Sequence, residues 1–145
     1  MFFGKCALPL SEKNQLTLPS NYREGMISTA FLTPGFDRNL FLLSQQAFNT
    51  IYSKIKATSI SDPLVRLMSR LFLGGAAEIT IDGLGQIELP LNLCEHAGLG
   101  KEIIIVGQGE YLEIWSPAHW QKQMDSLNDF DANTHRFEKF HVSLF

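Results

Sequence analysis

Leu16-Thr17-Leu18-Pro19 is written a second time as Ile87-Glu88-Leu89-Pro90, 71 positions later (87 − 16). The neighbours repeat at the same spacing: Gln15 with Gln86, Asn21 with Asn92, Glu24 with Glu95. Farther along, Leu40 to Phe48 parallels Leu112 to Trp120, now 72 apart (112 − 40). Two copies are too few for a solenoid, which needs at least about three repeats to bury its faces. The duplication predicts two half-domains that share one core and are related by a pseudo-two-fold axis. The segment kept in both halves is where the function is to be sought.

Around each copy the local pattern is that of strands joined by a polar loop. Cys6–Leu10 and Leu16–Leu18 flank Ser11-Glu12-Lys13-Asn14-Gln15. In the second half Ile79 and Ile81 alternate with Thr80, and Ile87 and Leu89 alternate with Glu88, across Asp82-Gly83-Leu84-Gly85. Period-two alternation marks half-buried strands, and glycine suits a turn that needs positive φ. The pattern predicts a hairpin in each half. Pro19 and Pro90 end the second strands and suit the first turn of short helices, expected at Ser20–Gly25 and Leu91–Ala97, the latter stopped by Gly98 and Gly100. Continuous apolar runs at Ile27–Leu32, Leu40–Leu43, Ile103–Val106 and Leu112–Trp115 read as covered strands.

Longer helices follow. After Ser44, Phe48, Ile51, Tyr52 and Ile55 form one apolar stripe; after Asp62-Pro63, so do Leu64, Leu67, Met68 and Leu71. Ser116-Pro117 opens a third helix with Trp120, Met124 and Leu127 on one face. Beyond Asn128, Phe130, Phe137, Phe140 and Phe145 stand among polar residues, a tail that docks on a neighbour or frays.

A chain of 145 residues is one domain in size, with 45% apolar residues and eleven Phe for a core. Its net charge of −3 provides no global field toward nucleic acid or membrane, so any nucleic-acid contact must be local or multiplied by many weak contacts. Cys6 and Cys94 have no metal or disulfide spacing, and no apolar stretch approaches the ~20 residues of a membrane helix. A soluble, cytoplasmic protein with reduced thiols is expected.

In the order and spacing of its parts the chain resembles the MraZ family of bacterial regulators, double versions of the AbrB-like swapped-hairpin DNA-binding module. Phe3-Gly4, the two Leu/Ile-x-Leu-Pro strands, Arg70 through Glu78, Ala97 through Glu102, Ile105-Val106-Gly107 and Leu112-Glu113-Ile114-Trp115 carry the likeness, which spans about residues 1–127. The resemblance implies an α+β fold: a pseudo-two-fold β-barrel of two AbrB-like halves with packed helices, assembled as a homo-oligomeric ring. The implied divisions are 1–58 and 75–127 for the halves, 59–74 for a connecting helix and 128–145 for the tail. It further implies a nucleoid-associated transcriptional regulator gripping short tandem boxes upstream of a cell-division and cell-wall operon, with no cofactor, membrane or small-molecule substrate.

Family loops follow Asp-x-x-Gly-Arg, and the first arginine is the implied DNA contact. Here Ser11, Asn14 and Gln15 occupy those positions in the first loop, and Asp82, Gly85 and Gln86 in the second. Glutamine keeps two hydrogen-bonding functions without charge and suits adenine edges, whereas arginine suits guanine or phosphate. Lys13 supplies one point charge, and Lys5 and Arg23 are further candidates. Without the likeness, Ser11–Gln15 reads as a wet loop tip; with it, DNA contact is favoured. Asp82 reads as a turn cap, and the second loop as structural or facing a neighbouring subunit. Arg66 and Arg70, i and i+4 on a helix, read as a solvated face, with a subunit contact or a DNA-facing patch as the sharper alternative.

Catalytic readings find little support. Cys94 and His96, two apart on a helix, point to different faces. His119, His135 and His141 lack ligand spacing, and Gly107-Gln108-Gly109 lacks a third glycine and precedes a strand. Glu110 and Glu113 have no third partner. Trp115 and Trp120 read as core. Two functions remain: a DNA-binding regulator, or an assembly module that kept the fold and subunit interfaces but not DNA reading.

Overall fold

The computed structural model describes residues 1–141 apart from Glu24 and Ile27. Glu24 of the repeat, Ile27 at the head of its run and Phe145 of the tail therefore lie outside the described residues. Among the described residues, eight strands and five α-helices follow in the order β1 (Lys5–Pro9), β2 (Gln15–Thr17), β3 (Thr29–Pro34), β4 (Leu40–Ser44), α1 (Gln45–Lys56), α2 (Pro63–Phe72), β5 (Ala77–Thr80), β6 (Gln86–Glu88), α3 (Leu91–Ala97), β7 (Glu102–Gly107), β8 (Tyr111–Trp115), α4 (Pro117–Leu127) and α5 (Phe130–Phe137). The α+β expectation holds. Where a short helix is expected after Pro19 there is a single 3-10 turn, Ser20–Tyr22.

Six strands form one antiparallel sheet in the order β1-β7-β8-β4-β3-β5, and β2 and β6 form a separate two-stranded ribbon. Exchanging first-half strands for their second-half counterparts turns that order into its own reverse. Two register pairs join a residue to its own repeat counterpart: Leu16 opposite Ile87, and Phe41 opposite Glu113. The pseudo-two-fold axis runs through both.

Two expectations are corrected. The strands of each expected hairpin do not pair with each other: β1 pairs with β7, β5 with β3, and β2 with β6. Nor does the sheet close into a barrel; β1 and β5 are its edges. The loops explain the first point. Asn14 N–H donates to Ser11 O and Ser11 N–H to Gln15 O, which closes the turn, and beyond it each strand buries its apolar side chains against the opposite half.

Leu18, Leu32, Leu40, Leu42, Ile87, Leu89, Ile103, Ile105, Leu112 and Ile114 form the centre of the main core, fed by both halves. Each such side chain contributes ~1.5–3 kcal/mol relative to exposure. On the other side of β4, Phe41 and Leu43 join Ile55 and Phe72 in a second cluster beneath α1 and α2, with Phe31 stacked on Phe48 at 4.1 Å. Strand β4 is thus covered on both faces, which is why its sequence runs apolar without alternation.

The helices begin where their caps stand. Ser44 Oγ accepts from Ala47 N–H, Asp62 Oδ1 from Leu64 N–H, and Ser116 Oγ from His119 N–H. Helix α2 turns only half of its expected stripe to the core. Met68 and Leu71 pack against the second cluster and Val65 and Phe72 are buried, while Leu64 and Leu67 are 72% and 63% exposed. Its apolar residues cover more than one face, so periodicity alone did not select the buried one. Tyr52 likewise lies outward, with Lys56 Nζ 5.8 Å from its ring centroid. The tail from Phe130 forms α5, capped by Asp129, with Phe130, Phe137 and Phe140 exposed.

Candidate nucleic-acid interface

Both loops are built on one plan with different residues. In the second, Asp82 Oδ1 accepts from Leu84 N–H at 2.9 Å and Gln86 N–H at 2.8 Å, and Gly85 turns at φ 82°. In the first, Ser11 Oγ accepts from Gln15 N–H at 3.0 Å, and Asn14 turns at φ 58°. Serine thus does part of the aspartate's work with one hydrogen bond instead of two. Asparagine takes the left-handed conformation that glycine holds in the other loop, which its short polar side chain tolerates.

The strand pairing brings the loops together. Leu18 N–H donates to Gly85 O at 2.9 Å, and Leu89 N–H donates to Asn14 O at 2.8 Å. These bonds are counterparts across the axis, so each half anchors the other half's loop. Gln86 Nε2 reaches Gln15 Oε1 at 3.4 Å, a long contact between counterpart positions of the two halves. Lys13, Asn14, Gln15, Asp82, Gly85 and Gln86 therefore share one surface. The Arg23 guanidinium packs over Gly85, where a Cβ would collide with it, and Arg23 Nε donates to Leu18 O at 2.7 Å. Arg23 joins the surface as a brace for the second loop.

Lys5 does not join it. It sits at the far end of β1, with Nζ 5.5 Å from the Trp120 ring centroid and 3.4 Å from Met124 Sδ. Arg66 closes the loop before α2 by donating to Ile60 O and Ser61 O.

Between the loops, the ribbon turns Leu16 and Ile87 inward and leaves Gln15, Thr17, Gln86 and Glu88 on its outer face. Thr17 and Glu88 are site candidates that reading the loops alone overlooked. The alternation that buries Leu16 and Leu18 places Thr17 outward, and the same holds for Glu88 between Ile87 and Leu89. Charge on this surface is sparse and mostly negative: exposed Lys13 stands with exposed Glu12, Asp82 and Glu88. None of these four forms an ion pair among the described residues. The counterpart of Lys13 at the second tip is Leu84, 75% exposed.

The sequence profile described as "MraZ protein, putative antitoxin-like" matches residues 72–141. A protein named "Transcriptional regulator MraZ" from Herpetosiphon aurantiacus is 34% identical over 129 residues, covering 89% of this chain and 90% of that one. One of the same name from Alkaliphilus metalliredigens is 33% identical over 143 residues, 98% of this chain and 100% of its own. Another, from Acetivibrio thermocellus, is 35% identical over 128 residues, 88% and 90% respectively. The chain belongs to the MraZ family. The match to the family profile extends through α5 to His141.

Membership agrees with the chemistry of the remaining candidates. Cys94 is buried, its thiol pushed up by that burial and directed at Leu89 O, 3.9 Å away; it makes no bond to His96. His119 Nδ1 lies 2.9 Å from Ser116 Oγ and 3.3 Å from Ala97 O, an arrangement that secures the start of α4 without an acid behind the imidazole. Glu113 accepts from Asn39 Nδ2 at 2.7 Å and Gln108 Nε2 at 3.0 Å. Burial raises its carboxyl pKa while these amides partly hold it down. The relatives are named as transcriptional regulators, not as enzymes. No group of three or more potential metal ligands occurs among the described residues, and no helix there is long and apolar enough to cross a membrane.

Proposed function

We propose that this chain is a sequence-specific DNA-binding transcriptional regulator whose paired loops and β2–β6 ribbon meet promoter DNA. On this reading copies assemble into a ring, in the cytoplasm and on the nucleoid. They engage short tandem boxes upstream of a cell-division and cell-wall operon. The observation that carries it is the reciprocal bonding of Leu18 to Gly85 and Leu89 to Asn14. It holds Lys13, Gln15 and Gln86 on one exposed ridge formed by both halves. The name shared by the relatives, transcriptional regulator, points the same way. The strand exchange between halves fits the swapped-hairpin plan.

Ring assembly is supported by the outer face of α2 and the loop before it. Ile60, Leu64 and Leu67 are each more than half exposed in the single chain, and Phe36, also exposed, meets Phe72 edge-on at 5.0 Å. Leu64 and Leu67, one turn apart on the helix, make an exposed apolar strip of the kind that another molecule covers. Assembly also answers the sparse charge. One lysine per ridge binds feebly, but several ridges on tandem boxes gain from effective concentration.

The test is binding of the parent and Lys13→Ala to tandem-box promoter DNA at low and physiological salt. Binding should be salt-sensitive and weaker for Lys13→Ala. Equal binding by both, or binding by neither, overturns the proposal.

A further inference from the structure

The ribbon carries a difference between the halves that the loops conceal. Its outer face holds two counterpart pairs, each 71 residues apart: Gln15 with Gln86, and Thr17 with Glu88. The first pair is identical and the second is not. In the register Gln15 stands opposite Glu88, and Thr17 opposite Gln86. Each end of the ribbon thus shows one glutamine, beside a carboxylate at one end and a methyl-bearing hydroxyl at the other.

Resting on the regulator reading above, we infer that this ribbon enters the major groove as the base-reading element and that it selects an asymmetric, imperfectly palindromic site. A two-stranded ribbon fits the major groove, where each base pair presents a distinct pattern. Glutamine matches adenine N6 and N7, threonine's methyl meets the thymine methyl, and a carboxylate accepts from cytosine N4. Successive outward residues of one strand are ~6.7 Å apart, close to two base-pair steps at ~3.4 Å. The half-site at the Gln15–Glu88 end then contains adenine with cytosine. The half-site at the Thr17–Gln86 end contains adenine with thymine. Glu88 acts chiefly by exclusion, because its carboxylate finds a hydrogen-bond donor on cytosine and only acceptors on guanine.

The experiment is selection from a random duplex library at low salt with the full chain, for the parent, Glu88→Thr and Gln86→Ala. Glu88 is exposed, so Glu88→Thr should keep the parent's thermal stability. The parent should enrich an asymmetric motif with adenine in both halves and cytosine in one. Replacing that cytosine should weaken parent binding roughly 5- to 150-fold. Glu88→Thr should lose the cytosine preference and select a near-palindrome, and Gln86→Ala should lose adenine in one half only. A parent motif that is already symmetric, or one unchanged by Glu88→Thr, overturns the inference while leaving DNA binding intact. A parent that retains no duplex at all overturns the regulator reading and the inference together.

Discussion

Adding one positive charge to the ridge measures how many copies sit on the DNA. Among the described residues Lys13 is the one exposed cation on the tips and ribbon face, since Arg23 is held against Gly85 and Leu18 and Lys5 lies beside Trp120. Each phosphate neutralised contributes about −0.9 to the slope of log K against log salt. The parent should therefore show a slope near −0.9 for each chain engaged, or about a 3.5-fold loss per chain between roughly 50 and 200 mM salt. Gln15→Arg places a guanidinium beside Lys13 at a half-exposed ribbon position. If it meets a phosphate, the slope should about double. If it meets guanine, the slope should stay put while affinity for G-bearing sites rises by ~1–3 kcal/mol. Fluorescence anisotropy of a labelled promoter duplex across that salt range reads both quantities, with Lys13→Ala as control. A Gln15→Arg variant with unchanged slope and unchanged affinity refutes the placement of the ridge. A parent slope that survives Lys13→Ala refutes the charge assignment.

Asp82→Ala should cost more stability than Ser11→Ala, about 1–3 against about 0.5–1 kcal/mol. The aspartate accepts two backbone bonds and the serine one. Chemical denaturation checks the ranking, and equal losses contradict it. Glu113→Gln should raise Tm at neutral pH. Burial raises the carboxyl pKa of Glu113 in the folded state, so the folded protein holds that proton more readily than the unfolded chain. The stability from this group is therefore present at acid pH and lost as pH rises from the ordinary glutamate value through the raised one. Glutamine does not titrate, so the difference between variant and parent should shrink as pH falls. Melting curves at several pH values that run parallel count against it.

Much of the architecture was legible because single residues dictate it. Ser44, Asp62 and Ser116 announce helix starts, Gly98 ends α3 at φ 65°, and alternation about Glu88 announces β6. What was not legible is pairing. Alternation tells which side of a strand is buried, and it is silent on whether β1 lies beside β2 or β7. The division of α2's stripe escaped for a related reason: Leu64 and Leu67 are as apolar as Met68 and Leu71, and only the cluster of Phe41, Leu43 and Phe72 beneath the helix selects the latter pair. At the site, Lys13, Gln15 and Gln86 were readable from the repeat. That both glutamines face one ridge, and that Lys5 stacks on Trp120 instead, depends on contacts 71 and 115 residues apart in the chain.

Duplication within one chain has a consequence that a symmetric dimer of half-length chains does not share. In such a dimer every substitution appears on both sides of the axis, so the surface at the axis is bound to remain symmetric. Here the inner residues, Leu16 with Ile87 and Leu18 with Leu89, have stayed equivalent because both fill the shared core. The outer ones have diverged: Thr17 against Glu88, Lys13 against Leu84, Ser11 against Asp82. Packing constrains the first set and water permits the second. The reciprocal backbone bonds keep the two loops in a fixed relation while their side chains differ. A scaffold that holds position and frees chemistry in this way can present two unlike half-surfaces, and with glutamine in both loops each half offers hydrogen bonding there in place of charge.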